Sequence, residues 1–301
     1  MENSEHNKST TETAEQPQTP DYELETTLSG KVNLADFQNA VPVIKELGLL
    51  NNTGTDLRGV RIRLSAEPGF LKPRTWLLDT VAAGSKYSLR DLDVQLDAAL
   101  LGRLTEAETA TLTFTAFCEN APEQVLAQTV QTVELLPRNQ WAGLSHLPDM
   151  VAAFVQPNDP AIDHLLKQVA ETLRKHDKNT ALNGYEDGAK RAWELASAVW
   201  STVAGLGIDY AYPPASFERQ GQKVRSPSQI VDARIGTCFD LALLFAATLE
   251  QIGLHPLIVF TKGHAFAGFW LKAEEFSTVV VDEITALRNR VRLQELVFFE
   301  T

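Results

Sequence analysis

The chain has 301 residues, of which 44% are hydrophobic and 22% are charged, as is ordinary for a globular protein of about two domains. Its net charge of -12, from 27 Lys and Arg against 39 Asp and Glu, argues against direct binding of nucleic acid through its phosphates. The sequence also lacks a signal peptide and any run of about 18 apolar residues, so we expect a cytoplasmic protein with no membrane partner.

The first 22 residues are rich in Ser, Thr, Glu, Gln and Pro and carry almost no large apolar side chains. Such a segment cannot bury enough surface to offset the entropy of ordering, which predicts a disordered tail over residues 1–22. The chain has only two cysteines, Cys118 and Cys238. Two cysteines form no disulfide framework, and we expect each to be a free thiol in a reducing cytosol.

Short apolar runs separated by turn residues fill residues 23–137. In residues 60–65 apolar and polar side chains alternate, which is typical of a half-buried strand. Further strands are predicted over residues 41–50, 76–81, 109–117 and 125–135. This regular spacing favours a small β-sandwich, immunoglobulin-like, over residues 23–137.

After residue 137 the apolar pattern changes to a helical period, which predicts a second domain over residues 138–301. Its first helix starts with Asp159 as N-cap and Pro160 at the first helical position. Further helices are predicted over residues 185–204, near residues 228–234, and after Cys238 as far as Gly253. Strands are predicted over residues 256–261, 264–271, 278–281 and in the apolar run 295–301. The whole chain is therefore expected to be α+β.

Cys238 and His264 are the residues that most clearly indicate chemistry. Cys238 opens an apolar helix, where the partial positive charge of the N-terminus favours a thiolate and free N–H groups can donate to an oxyanion. His264 opens the second strand of a hairpin whose turn is Lys262-Gly263. A cysteine at a helix start and a histidine on a neighbouring strand are the two halves of a thiolate–imidazolium nucleophile.

A carboxylate beside the histidine strand would orient the imidazole and stabilise its protonated form. Asp282 ends the predicted strand 278–281 and is the candidate, with Glu283 adjacent as the alternative. Other polar residues have simpler interpretations: Asp240 is expected to cap the helix, Gln229 to lie at the surface, and Cys118 to be structural.

The order of these motifs resembles the transglutaminase-like division of the papain-like cysteine enzymes. That family has Gly-x-Cys opening a helix, then a strand, a strand starting His-Ala-aromatic, and a strand ending in Asp. Here the pattern is matched by Gly236-Thr237-Cys238, His264-Ala265-Phe266 and Asp282. The resemblance covers roughly residues 145–301 and implies a papain-like α+β domain with a Cys-His-Asp triad. More narrowly, the cysteine and histidine segments are similar to the transglutaminase-like region near the N-terminus of large bacterial helicase-like proteins, some of them suspected of roles in phage defence.

Two features depart from the family pattern. The segment before the histidine strand is only Lys262-Gly263, so the loop that often shapes a substrate cleft is missing, and Asp282 is not followed by the usual proline. We therefore expect one side of the cleft to be open, or to be completed by a partner or by further domains of a longer protein.

The sequence predicts a cysteine-dependent acyl-transfer enzyme. Cys238 would attack an amide or ester carbonyl, His264 would carry the proton, and Asp282 would hold the imidazole. Hydrolysis of a peptide or isopeptide bond in a protein or peptide substrate is the default, because it needs no second substrate site. No metal or organic cofactor is expected. The alternative is a catalytically inactive transglutaminase-like module that binds proteins, as the N-terminal part of a larger helicase-like or defence protein.

Overall fold

A computed structural model describes residues 20–301 and gives a mixed α+β protein with 30% helix and 33% strand. Apart from its last three residues, the tail predicted over residues 1–22 lies outside the described part. The described chain divides into two compact units. The first contains residues 20–28, 43–95 and 111–131, and the second contains residues 29–42, 96–110 and 132–301. Residues 29–42 and 96–110 thus belong to the second unit, although the sequence analysis assigned them to the domain that ends at residue 137.

The elements of the N-terminal half are, in chain order, β1 (Tyr22–Leu28), β2 (Lys31–Val32), α1 (Leu34–Gln38), β3 (Ile44–Asn51), β4 (Leu57–Glu67), β5 (Arg74–Val81), β6 (Ser85–Ser88), α2 (Ala98–Arg103), β7 (Glu108–Cys118) and β8 (Ala121–Leu135). In the first unit, β1, β3 and β6 form one antiparallel sheet, and β8, β7, β4 and β5 lie side by side in another. The five strands predicted from the alternating pattern are confirmed as β3, β4, β5, β7 and β8. In β4 the apolar residues Val60, Ile62 and Leu64 are almost fully buried, as the alternation predicts.

The elements of the C-terminal half are β9 (Gln140–Trp141), a 3-10 helix (Pro148–Phe154), α3 (Pro160–Lys175), α4 (Gly188–Ala204), β10 (Asp209–Tyr210), α5 (Phe217–Gln220), β11 (Gln222–Lys223), α6 (Pro227–Ala233), β12 (Ile235–Gly236), α7 (Cys238–Gln251), β13 (Pro256–Thr261), β14 (His264–Trp270), α8 (Ile284–Arg292) and β15 (Leu296–Phe299). The predicted N-cap Asp159 accepts from the N–H of Ala161, which confirms the start of α3.

Helix α7 is the centre of the second unit, and every residue from Cys238 to Leu249 is buried. A helix that is apolar all round is stable only when other elements cover it. Helices α3 and α4 and strands β13 and β14 do so, and Ala267 and Phe269 of β14 belong to the same core. Although α7 is buried from Cys238 to Leu249, none of the helices in residues 20–301 is long and apolar enough to cross a bilayer.

The predicted strand over residues 278–281 is wrong. These residues form neither strand nor helix, and Val279 and Val280 are 83% and 45% exposed. Their β-branched side chains favour a strand only where a packed face receives them, and here no such face is available. The third strand beside β14 is instead β15, in an antiparallel sheet of order β13-β14-β15.

Candidate active site

Cys238 is the first residue of α7, as the sequence predicted, and a capping box holds the helix start. The Thr237 hydroxyl accepts from the N–H of Asp240 at 3.1 Å, and the Asp240 carboxylate accepts from the N–H of Thr237 at 3.0 Å. This reciprocal pair satisfies two backbone donors of the first turn. It fixes the direction from which the Cys238 side chain leaves the helix.

Asp240 has the capping role predicted for it and is fully buried. Its carboxylate also accepts from the backbone N–H of Arg225 at 2.9 Å and from the Arg225 guanidinium at 2.8 Å. A buried carboxylate needs such partners to offset the loss of hydration. Asp240 therefore supports the helix start and is not free to exchange protons with a substrate.

The Cys238 side chain has no solvent-accessible surface and lies in a cluster with Trp141, Phe239 and Phe260. The Trp141 ring stacks on Phe260 at 4.8 Å and lies 4.9 Å from Phe239. A thiol in this position is shielded by aromatic rings, and a substrate reaches it only if a neighbouring side chain moves.

Tyr210 is the polar neighbour of the Cys238 thiol. Its strand, β10, pairs in parallel with β12, so Tyr210 lies beside Gly236, and the N–H of Ala211 donates to the Gly236 carbonyl at 2.8 Å. Burial raises the pKa of Tyr210 to about 12, together with a hydrogen bond to the Cys238 thiol and the nearby charge of Glu300. The hydroxyl is therefore protonated at neutral pH and can donate to sulfur.

Glu300 is the carboxylate partner of His264. The antiparallel register pairs Ala267 with Phe299 and Gly268 with Phe298, so the next position along the ladder sets Phe266 opposite Glu300. His264 lies two residues from Phe266 on the same face, which makes it a diagonal neighbour of Glu300. The distance from His264 Nε2 to Glu300 Oε1 is 2.9 Å, and Nδ1 is left as the ring atom for a second partner.

Asp282 and Glu283 do not have the position predicted for the third member. Both are exposed; Asp282 stands in an irregular segment and Glu283 is the N-cap residue of α8. The error follows from the wrong strand at 278–281, because a different strand lies next to β14. The signal for Glu300 was present in the sequence, since it directly follows the last apolar run.

The structure pairs Glu300 with His264 and couples Tyr210 to Cys238; sequence reasoning found Cys238 and His264 and missed the other two. The pKa of Tyr210 responds to both Cys238 and Glu300, and Glu300 is bonded to His264. No pattern in the sequence distinguished Tyr210, because β10 has only two residues and its pairing with β12 spans 26 positions.

Gln229 and Gln222, both upstream of the cysteine helix, have different roles. Gln229 forms a capping box with Ser226 at the start of α6, as expected for a residue without an active-site role. Gln222 is buried, and its amide nitrogen donates to the Thr237 hydroxyl at 2.9 Å. Gln222 therefore supports the residue before Cys238, although its distance along the chain gave no hint of this contact.

The remaining candidates form no second site. Cys118 ends β7 in the first unit, where its sulfur lies 3.6 Å from the Arg58 carbonyl oxygen. Residues 20–301 contain no group of three or more His, Cys, Asp or Glu arranged to hold a metal ion.

Among known proteins, no family model matches the chain and no curated protein matches it at a significant level. Its function has to be argued from the side chains of the site.

Proposed function

We propose that the chain is a cysteine-dependent acyl-transfer enzyme of the transglutaminase-like, papain-like type, with a peptide or isopeptide bond as its substrate. Cys238 is the nucleophile, His264 the general base and acid, and Glu300 the carboxylate that orients the imidazole. The observation that carries the proposal is the 2.9 Å contact between His264 and Glu300, on the sheet that packs against the helix opened by Cys238. Carboxylate, imidazole and thiol in this order are the parts of an activated nucleophile.

The reaction divides into two steps. In the first, His264 accepts the thiol proton, the Cys238 sulfur attacks the carbonyl carbon, and the C–N bond breaks as His264 returns the proton to the leaving amine. In the second, water attacks the thioester carbon while His264 again takes a proton, and the Cys238 sulfur leaves. The net change is hydrolysis of one amide bond by one water. Glu300 favours the imidazolium that forms in both steps, because its negative charge faces Nε2.

Tyr210 serves two purposes in this scheme. Its hydroxyl stabilises negative charge on the sulfur before reaction, because a neutral phenol donates to a thiolate. We also propose that its ring, itself 48% exposed, must move before a carbonyl group can reach this thiol, which has no accessible surface. Once displaced, the same hydroxyl and the N–H groups at the start of α7 are donors for the oxyanion.

The fold is compatible with this proposal. The sheet β13-β14-β15 against α7, with α3 and α4 on the remaining sides, supports a papain-like arrangement for the second unit. The two antiparallel sheets of the first unit support an immunoglobulin-like sandwich. We place the protein in the cytoplasm, with a protein or peptide substrate as its partner.

The second candidate is a protein-binding module without catalysis. The complete burial of Cys238 favours it, because reactive cysteines are usually at least partly exposed. Under this alternative the thiol is a core residue and His264 and Glu300 form only a surface ion pair.

An activated ester separates the two candidates. The full chain is incubated with p-nitrophenyl acetate, nitrophenolate release is followed, and acetylated cysteines are located by mass spectrometry. The enzyme acetylates Cys238 but not Cys118, and His264→Ala abolishes that acetylation. If both thiols are acetylated slowly and equally in the parent chain and in His264→Ala, the enzyme is rejected and the binding module is favoured.

A further inference from the structure

A pocket lies within the second unit, at the place where its three chain segments meet. Its volume is about 570 Å³, and sites that hold small organic molecules usually have about 300–1,000 Å³. Its walls come from α1, the 3-10 helix and three loop or strand segments, at residues 104–105, 138–139 and 223–229. The pocket therefore depends on the two segments that the second unit takes from the N-terminal half of the chain.

The base of the pocket is apolar. It consists of four side chains that are at most 6% exposed: Ala35, Leu104, Phe154 and Val224. Leu34 and Ala153 are more exposed and extend the apolar surface toward the opening. An occupant that reaches the base must therefore have an apolar body, because a polar group would lose its hydration there without gaining a partner.

Hydrogen bonds hold the walls of the pocket in place. The N–H of Val224 donates to the Asn139 carbonyl oxygen at 2.7 Å, and the Asn139 side-chain amide donates to the Val224 carbonyl oxygen at 3.0 Å. Capping boxes fix the starts of α1 and α6, which supply further lining residues. The pocket is thus formed in advance, and a ligand does not have to order it on binding.

The opening of the pocket is basic, although the chain as a whole carries a net charge of -12. The described residues that line it include Arg138 and Lys223 and no Asp or Glu. Lys223 is paired with Glu106 at 2.6 Å. Within residues 20–301 no carboxylate lies at ion-pair distance from Arg138. The pocket therefore offers one positive charge that is not compensated by a neighbour.

A single guanidinium of this kind favours a ligand with one negative charge. The planar Arg138 side chain can donate two parallel hydrogen bonds to a carboxylate. A phosphate monoester carries a charge of about -1.5 to -2 at neutral pH, and part of that charge would remain unmatched here. Gln38 and Gln156 at the opening can bond to any further polar atom of the ligand.

We propose that this pocket binds a small organic molecule that carries one carboxylate on an apolar body. The carboxylate pairs with Arg138, and the body lies against Phe154 and Val224. The described residues of the lining do not include Cys238 or His264, so the pocket is a second site and does not depend on the proposed function.

The probe for this site is 4-(trifluoromethyl)benzoate, whose binding to the full chain is followed by fluorine NMR titration. The matched control is 4-(trifluoromethyl)benzamide, which has the same apolar body without the charge. We expect the benzoate to bind, and the benzamide to bind about tenfold more weakly or worse.

Three variants locate the binding. Arg138→Gln is expected to weaken benzoate binding about tenfold, because it removes the charge and the paired donors. Ala153→Trp changes an exposed lining residue, fills the cavity and should abolish binding. Arg174→Gln is the matched control at an exposed arginine of α3 outside the pocket, and it should leave binding unchanged.

Four outcomes overturn the inference: no binding of the benzoate, equal binding of benzoate and benzamide, binding that survives Arg138→Gln or Ala153→Trp in chains that keep the parent circular dichroism spectrum, and displacement of the benzoate by an equal concentration of inorganic phosphate. The last would mean that the anion is recognised without the apolar body. Acetylation of Cys238 is measured separately, so the failure of either proposal leaves the other standing.

Discussion

A single carboxylate, that of Glu300, holds the His264 imidazole through Nε2. If its negative charge stabilises the imidazolium, Glu300→Gln keeps a hydrogen bond but loses that effect. We predict that the rate of Cys238 acetylation falls about 100-fold or more. Asp282→Asn is the matched control at an exposed carboxylate and is expected to leave the rate unchanged. A rate that falls in Asp282→Asn but not in Glu300→Gln would mean that Asp282, and not Glu300, is the carboxylate that orients His264.

Tyr210 is expected to control access to the Cys238 thiol. Desolvation and the neighbouring Cys238 thiol raise the pKa of Tyr210 to about 12, which keeps its hydroxyl neutral up to about pH 10. Tyr210→Ala uncovers the thiol, whereas Tyr210→Phe keeps most of the cover and removes only the donor. We expect a bulky maleimide to label Cys238 several times faster in Tyr210→Ala than in the parent chain, and Tyr210→Phe to show little gain. Equal labelling of all three chains would mean that Tyr210 does not control access.

At the scale of elements, β15 depends on its anchorage by Glu295. This carboxylate accepts from Arg290 of α8 at 2.8 Å and from Lys272 at 3.2 Å, and these two hydrogen bonds lower the pKa of Glu295. A lowered pKa means that the stabilising contribution is present above the ordinary carboxyl value of about 4.3 and is lost as pH falls through the lower folded value.

Glu295→Gln should therefore lower the thermal midpoint at pH 7, and the difference from the parent chain should shrink toward zero near pH 3. Glu283→Gln, at an exposed residue whose side chain does not cap α8, serves as the control and should show no such pH-dependent difference. Midpoints are read by circular dichroism. A difference between Glu295→Gln and parent that is as large at pH 3 as at pH 7 would show that charge is not its cause.

Local patterns predicted most helices and strands, because each of those signals lies within one segment. Asp159 with Pro160 marks the start of α3, and Gly253, at φ +88°, follows the end of α7. The valines at 279–281 carried the same local strand signal as β15, and only long-range packing decides between the two. The candidate site was predictable to the same extent. Cys238 and His264 stand in recognisable motifs, whereas the positions of Tyr210 and Glu300 depend on the pairing of strands that are distant in sequence.

At the scale of the whole molecule, the second unit recruits residues 29–42 and 96–110 from the N-terminal half. Lys31 donates to the carbonyl oxygens of Ala142 at 3.2 Å and Gln220 at 2.7 Å, and Asn33 donates to that of Gln140 at 3.0 Å. Leu101 and Leu104 are buried in the same unit. Local sequence patterns do not predict such a unit, because its three segments are separated along the chain by complete strands of the first unit.

A chain of residues 138–301 alone lacks these contacts. We predict that it loses the near-ultraviolet signal of its buried tryptophans and unfolds at a lower temperature than residues 20–301, because three carbonyl groups lose their donors and apolar surface is exposed. The comparison is by near-ultraviolet circular dichroism during heating. An equally cooperative transition at the same temperature would show that residues 29–42 and 96–110 are dispensable.

If Cys238, His264 and Glu300 act as one nucleophile, the thiol of Cys238 is activated, and the rate of its alkylation by iodoacetamide as a function of pH measures that activation. Cys118 in the same chain supplies the reference thiol, and each site is quantified by mass spectrometry. We predict that at about pH 6 Cys238 reacts faster than Cys118, and that His264→Ala removes this advantage while leaving Cys118 unchanged. Alkylation of Cys238 that is slower than that of Cys118 at every pH, and indifferent to His264→Ala, would contradict it.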